Sequence, residues 1–146
     1  MLLTTPEHIT TLEPNEVFVF GSNYAGRHGK GAALIALRKF GALNGQGCGP
    51  MGRSYGIATK DERLRVLPLH RIEVQVARFL RHAAQHPDKR YLVTQIGCGL
   101  AGYQPRDIAP FFRDAPANVV LPASFLQHND KAQPRAGDKP AASSAL

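Results

Sequence analysis

Val17-Phe18-Val19-Phe20-Gly21-Ser22-Asn23-Tyr24-Ala25-Gly26-Arg27-His28-Gly29-Lys30-Gly31-Ala32-Ala33 is the stretch on which the reading of this chain turns. Its first four residues are an unbroken apolar run. Such a run fits a short strand buried on both faces, as in a parallel sheet. A glycine-rich connection follows. The chain then enters a helical pattern from Gly31 to Phe40, with Ala32, Ala33, Ala36, Leu37 and Phe40 on one face. Arg38 and Lys39 stand near its C-terminal end, where cations complement the helix dipole, and Gly41 is a natural stop. Strand, glycine loop and helix in this order belong to an open α/β sheet, whose ligands sit at strand ends. Glycine lets the backbone approach a phosphate and present N–H groups to it.

The pattern recurs downstream. Tyr91 to Ile96 reads as a second buried strand and runs into Gly97-Cys98-Gly99-Leu100-Ala101-Gly102-Tyr103. Between the two loops, Ser54 to Thr59 reads as a strand. Leu69 to Ala84 reads as a helix that gathers Ile72, Val76, Phe79, Leu80 and Ala83 on one side. Pro105 to Phe112 reads as a short helix, and Asn118 to Pro122 as a last strand cut off by proline. Residues 1–16 look like a polar lead-in. Residues 41–53, crowded with Gly41, Gly45, Gly47, Gly49, Pro50 and Gly52, are expected to hold no regular element. The order β–α–β–α–β–α–β predicts an α/β fold: a three-layer α/β/α sandwich with a mostly parallel mixed sheet. Right-handed crossovers put the ends of parallel strands on one edge, so both glycine loops are expected there.

One domain over residues 1–126 is expected in this chain of 146 residues, followed by a polar tail over 127–146 too poor in apolar surface to offset its chain entropy. The formal charge of +7 favours anionic partners. Nucleic acid is the alternative partner to a nucleotide, although no aromatic-interleaved basic motif is present. No apolar run approaches the length of a membrane span, and the N-terminus lacks the features of a signal peptide, so no membrane association and a cytoplasmic location are expected. Cys48 and Cys98 lack metal-ligand spacing, and neither a metal nor a cofactor is expected.

Gly21 and Ser22 lead into the first loop. Gly26, Gly29 and Gly31 then precede a helix whose N-terminal N–H groups would hold a phosphate. Arg27 and Lys30 add positive charge, and Asn23 can bond a ribose or an amide. The spacing matches neither a P-loop nor a dinucleotide fingerprint. In the second loop Gly97, Gly99 and Gly102 would wrap the other side of a diphosphate. Tyr103 either stacks on a sugar or base or covers the core. Cys98 has no His or acid tied to it in sequence, so a nucleophilic role lacks its base. His28 is a candidate for phosphate contact or proton transfer. Asp61 is a candidate base or ribose ligand, against the plainer reading of an exposed turn. His82 and His86 have zinc-pair spacing but no third ligand, which favours surface histidines. The stretch Gly45 to Gly52 reads either as a lid or as a long loop.

Together the two loops resemble the macro domain family, whose members bind ADP-ribose in an α/β/α fold. The family's strand-end asparagine and glycine loop are matched by Ser22-Asn23 through Gly31-Ala32-Ala33. Its later Ser-Thr-Gly-x-x-Gly-Tyr-like loop is matched by Gly97 through Tyr103. The resemblance covers roughly residues 15–125. It implies an ADP-ribose-like nucleotide or an ADP-ribosylated macromolecule as partner. Gly29, Gly31, Gly99 and Leu100 would donate backbone N–H groups to the diphosphate, and Asn23 would orient the distal ribose. Some relatives hydrolyse ADP-ribosyl groups or remove phosphate from ADP-ribose 1″-phosphate, while others only bind. The chain departs from the family at Ala101, where an aromatic residue is usual. It departs also before Val17, where Glu16 is the only nearby acid for an adenine contact.

Overall fold

Strand β1 (Glu16–Asn23) is buried on both faces. Phe18 and Phe20 join one hydrophobic cluster and Val17 and Val19 another, as a period of two requires. The computed structural model describes residues 4–128. Four more strands accompany β1: β2 (Gly49–Met51), β3 (Ser54–Lys60), β4 (Arg90–Val93) and β5 (Val119–Val120). They form one five-stranded mixed sheet in the order β2-β3-β1-β4-β5. β3, β1, β4 and β5 run parallel, and β2 is an antiparallel edge.

Four helices are described: α1 (Gly31–Lys39), α2 (Leu69–Ala84), α3 (Pro105–Ile108) and α4 (Ala123–Leu126). From β1 the chain passes through α1 toward β3. From β3 it returns through α2, across β1, to β4. The two helices join two separate hydrophobic clusters. Ala33, Ala36 and Phe40 pack with Phe18, Phe20 and Leu92. Ile72, Val76 and Phe79 pack with Val19, Ile57 and Val93, joined by Phe112 and Phe125. Phe79 is fully buried and meets Tyr55 and Tyr91 edge-on at 5.0 and 5.4 Å. Truncating such a ring costs about 3–5 kcal/mol.

Several elements differ from the sequence expectation. β1 continues past Phe20 because Gly21, Ser22 and Asn23 still pair with Ile57, Ala58 and Lys60 of β3. The Pro105 to Phe112 helix breaks into α3 and a 3-10 turn over Ala109–Phe112, because Pro110 has no N–H to extend the α ladder. α4 is too short to show a helical period in sequence. The lead-in is less polar in practice. Ile9 is buried, and Thr5 bridges to Pro122, with its Oγ1 donating to the Val120 carbonyl at 2.9 Å. The expected tail lies outside the described residues from position 129 onward.

The largest departure is in residues 41–53. Gly49–Met51 forms β2, with Pro50 tolerated because the strand lies at the sheet edge. The segment before it is pressed onto β1. A Cβ at Gly47 would collide with the Asn23 carbonyl oxygen and meet Tyr24 Cα at 3.2 Å. Gly47→Ala is therefore expected to lower unfolding stability by at least about 2 kcal/mol. A urea titration with an unchanged midpoint would contradict this packing.

Candidate functional site

The site begins where β1 and β4 part. Their ladder ends at Val19 and Val93. Thr94 then turns in and gives both its N–H and its Oγ1 hydrogen to the Val19 carbonyl, at 3.1 and 2.8 Å. β1 runs on to Asn23, paired only with β3. Its free edge faces the second glycine loop: a methyl group on Gly21 would touch the Gly97 nitrogen and Ile96 Cα at 3.6 Å. The strand order also reverses at β1, which makes this the crevice where open α/β sheets take ligands.

A cleft of about 750 Å³ occupies this crevice. Of the expected binding residues, Gly21, Ser22, Asn23, Gly29, Lys30 and Gly31 line it from one side. Gly97, Cys98, Gly99, Leu100 and Ala101 line it from the other. Sequence reading missed Thr59, Lys60 and Leu64, contributed by the end of β3 and the turn after it, and Thr94. Arg27, Lys30 and Lys60 bring three cations to the lining, and no Asp or Glu lines it among the described residues.

Two sets of backbone donors border the cleft. α1 starts at the cleft with no side-chain cap and no acid in its first turn, so its first N–H groups stay open. In the second loop the N–H groups of Cys98, Gly102 and Tyr103 are taken by the carbonyls of Gln95, Gly99 and Gly97. Those of Gly99, Leu100 and Ala101 have no acceptor among the described residues. Gly97 closes this turn at a φ of +77°, which a side chain rarely adopts.

Asn23 holds its own loop in shape. Its Nδ2 donates to the Arg27 carbonyl at 2.9 Å, and its Oδ1 accepts the Arg27 N–H at 3.0 Å. One amide hydrogen and one lone pair remain for a ligand.

Gly26, His28, Asp61, Gly102 and Tyr103 are not among the residues lining the cleft. Gly26 lies against the backbone of Gly45 and Gln46, where a Cβ would come within 2.5 Å. Gly102 serves the internal closure of the second loop. Tyr103 covers the core, with its hydroxyl donating to the Leu67 carbonyl at 2.7 Å. His28 is buried. Its Nε2 stands 2.9 Å from both the Leu43 and the Gln46 carbonyls, which requires an N–H there, and its Nδ1 has no partner. It ties the glycine-rich segment to the first loop and does not face the cleft. Asp61 is a turn clamp. Oδ1 accepts the N–H groups of Arg63 and Arg65 at 2.8 and 2.9 Å, and Oδ2 accepts Arg65 Nε at 3.1 Å. The Arg65 N–H foremost, then that of Arg63 and the Arg65 charge, hold its carboxyl below the ordinary value. The ionised clamp is thus fully present above the usual carboxylate range and is lost only as pH falls through the lowered value.

Glu16 cannot reach the cleft. It opens β1 at the far end, roughly 20 Å from Ser22 along an extended chain. Its carboxylate accepts the Glu13 N–H at 2.9 Å. His82 and His86 stack at 4.2 Å, and no group of three or more metal-capable side chains occurs among the described residues. No described helix is long and apolar enough to cross a membrane.

No protein-family model, no curated protein and no solved structure matches this chain. Its functional reading therefore rests on the cleft.

Burial, aided by the charge of Asp107, pushes the Cys98 thiol up to about 11. At pH 8 it is a thiol, a poor nucleophile. Iodoacetamide should alkylate native Cys98 at least about ten times more slowly than free cysteine at that pH. Peptide mass mapping of timed aliquots measures this, and rapid labelling would contradict it.

Proposed function

We propose that the cleft binds ADP-ribose or a closely related nucleoside diphosphate, held between the two glycine loops. On this reading the fold is a divergent three-layer α/β/α domain of macro type. One observation carries it: two loops far apart in sequence line a single cleft with unspent backbone N–H groups. Such donors suit a diphosphate, because they are fixed in place and need no ordering of long side chains. Arg27, Lys30 and Lys60 add long-range attraction with no opposing carboxylate in the lining.

Hydrolysis of ADP-ribosyl groups or of ADP-ribose 1″-phosphate is the second reading. It is supported by the unspent amide hydrogen and lone pair of Asn23, which lines the cleft and can orient a water. No carboxylate lines the cleft among the described residues, and Cys98 is protonated, so a phosphate oxygen of the substrate would have to receive the proton. Binding without turnover needs none of this and is the primary reading.

Gly99→Asp provides the test. A Cβ at Gly99 meets nothing within 4 Å, so the fold should tolerate the change. The new carboxylate would oppose the diphosphate. Calorimetric titration should show ADP-ribose binding to the unaltered chain and at least about tenfold weaker binding, 1.4 kcal/mol, to Gly99→Asp. The melting temperature of the two free proteins should agree. An unaltered chain with no affinity for ADP-ribose would overturn the reading, and salt-sensitive oligonucleotide binding in its place would favour nucleic acid.

A further inference from the structure

Leu64 is the one non-glycine residue with positive φ among those described, at +64°. A bulky side chain in this region is an outlier that persists only where its surroundings over-determine it. Here they do. Asp61 accepts the Leu64 N–H on its carbonyl at 3.0 Å and donates its own N–H to the Arg65 carbonyl at 2.8 Å. Its carboxylate takes the Arg63 and Arg65 N–H groups and the Arg65 guanidinium. A bridge between Lys60 and Val66 closes the base of the turn.

The result is an apolar side chain held 40% exposed at the lining of the cleft. Leu100, 67% exposed, lines the same cleft from the second loop. The turn grows from the end of β3, whose Lys60 pairs with Asn23 across the bulge at the end of β1. Leu64 therefore belongs to the β3 side of the cleft, whereas the second glycine loop follows β4 on its other side. Asn23 and Leu64 line the same cleft as the two loops, within reach of a group that a ligand carries beyond its diphosphate.

We infer that Leu64 is a specificity residue and Asp61 its positioning residue: the clamped turn holds Leu64 as an apolar wall against the sugar that a ligand carries beyond its diphosphate. A sugar's C–H face would lie on Leu64 while Asn23 meets its hydroxyls. The cleft then prefers ADP-ribose to ADP. This rests on the diphosphate reading above and refines it.

Four variants and two probes test it. Leu64→Gly relieves the backbone strain and removes the wall. It should keep or raise the melting temperature, weaken ADP-ribose about tenfold and leave ADP within about twofold. Asp61→Ala should weaken ADP-ribose to a similar extent, and the double variant should be no worse than either single one. Asp61→Asn retains an oxygen for the two backbone N–H groups and should bind within about twofold of the unaltered chain. Leu64→Gly binding ADP-ribose normally, or losing ADP and ADP-ribose in equal measure, overturns the inference while the diphosphate reading stands. Additive losses in the double variant overturn the role of Asp61. An unaltered chain that binds neither probe overturns the diphosphate reading and this inference with it.

Discussion

The Val19 carbonyl receives two hydrogen bonds from Thr94, and the cleft exists because of them. A ladder that continued would have paired Phe20 to Asn23 with β4 and closed the sheet. Instead β4 ends and the chain swings into the second glycine loop, while β1 runs on with β3. The central strand thus has a finished edge on one side and a recess on the other. Everything that lines the recess is set by how far each neighbouring strand accompanies β1.

Main-chain donors in two loops reach that recess. The first turn of α1 and the crest of the second loop leave N–H groups unspent, and the side chains that matter most are engaged in shaping backbone. Asn23 folds the Arg27 turn, Asp61 folds the Arg65 turn, and His28 fastens the segment that follows. Each of these three side chains is thus largely engaged before a ligand arrives. On the proposed reading this suits a preorganised anion site, where donors are fixed in advance rather than recruited.

The strand–loop–helix grammar was plain in the sequence, because apolar runs, glycine clusters and helical spacing are local signals. It placed both glycine loops and nearly all of their cleft-lining residues. It could not show that Gly47 lies against the Asn23 carbonyl, since close approach between distant backbones has no local signature. β2 was hidden for a related reason: an edge strand of three residues with a proline at its centre carries no alternation. His28 and Asp61 looked chemical because of residue type. Their neighbours across the turns claim their polar atoms, and only three-dimensional placement reveals that. Leu64 looked like nothing at all, because a left-handed backbone is not encoded by leucine but forced by the aspartate three residues before it.

On the proposed reading, recognition by the main chain leaves the identity of several rim positions open. Space surrounds the Cα of both Gly29 and Gly99, and neither adopts a backbone angle reserved for glycine. Side chains can therefore be gained there with little disturbance to the scaffold. A cleft of this kind can change its preference through drift at the rim while the donors beneath it remain untouched, so descendants of one ancestor can diverge in ligand without diverging in fold.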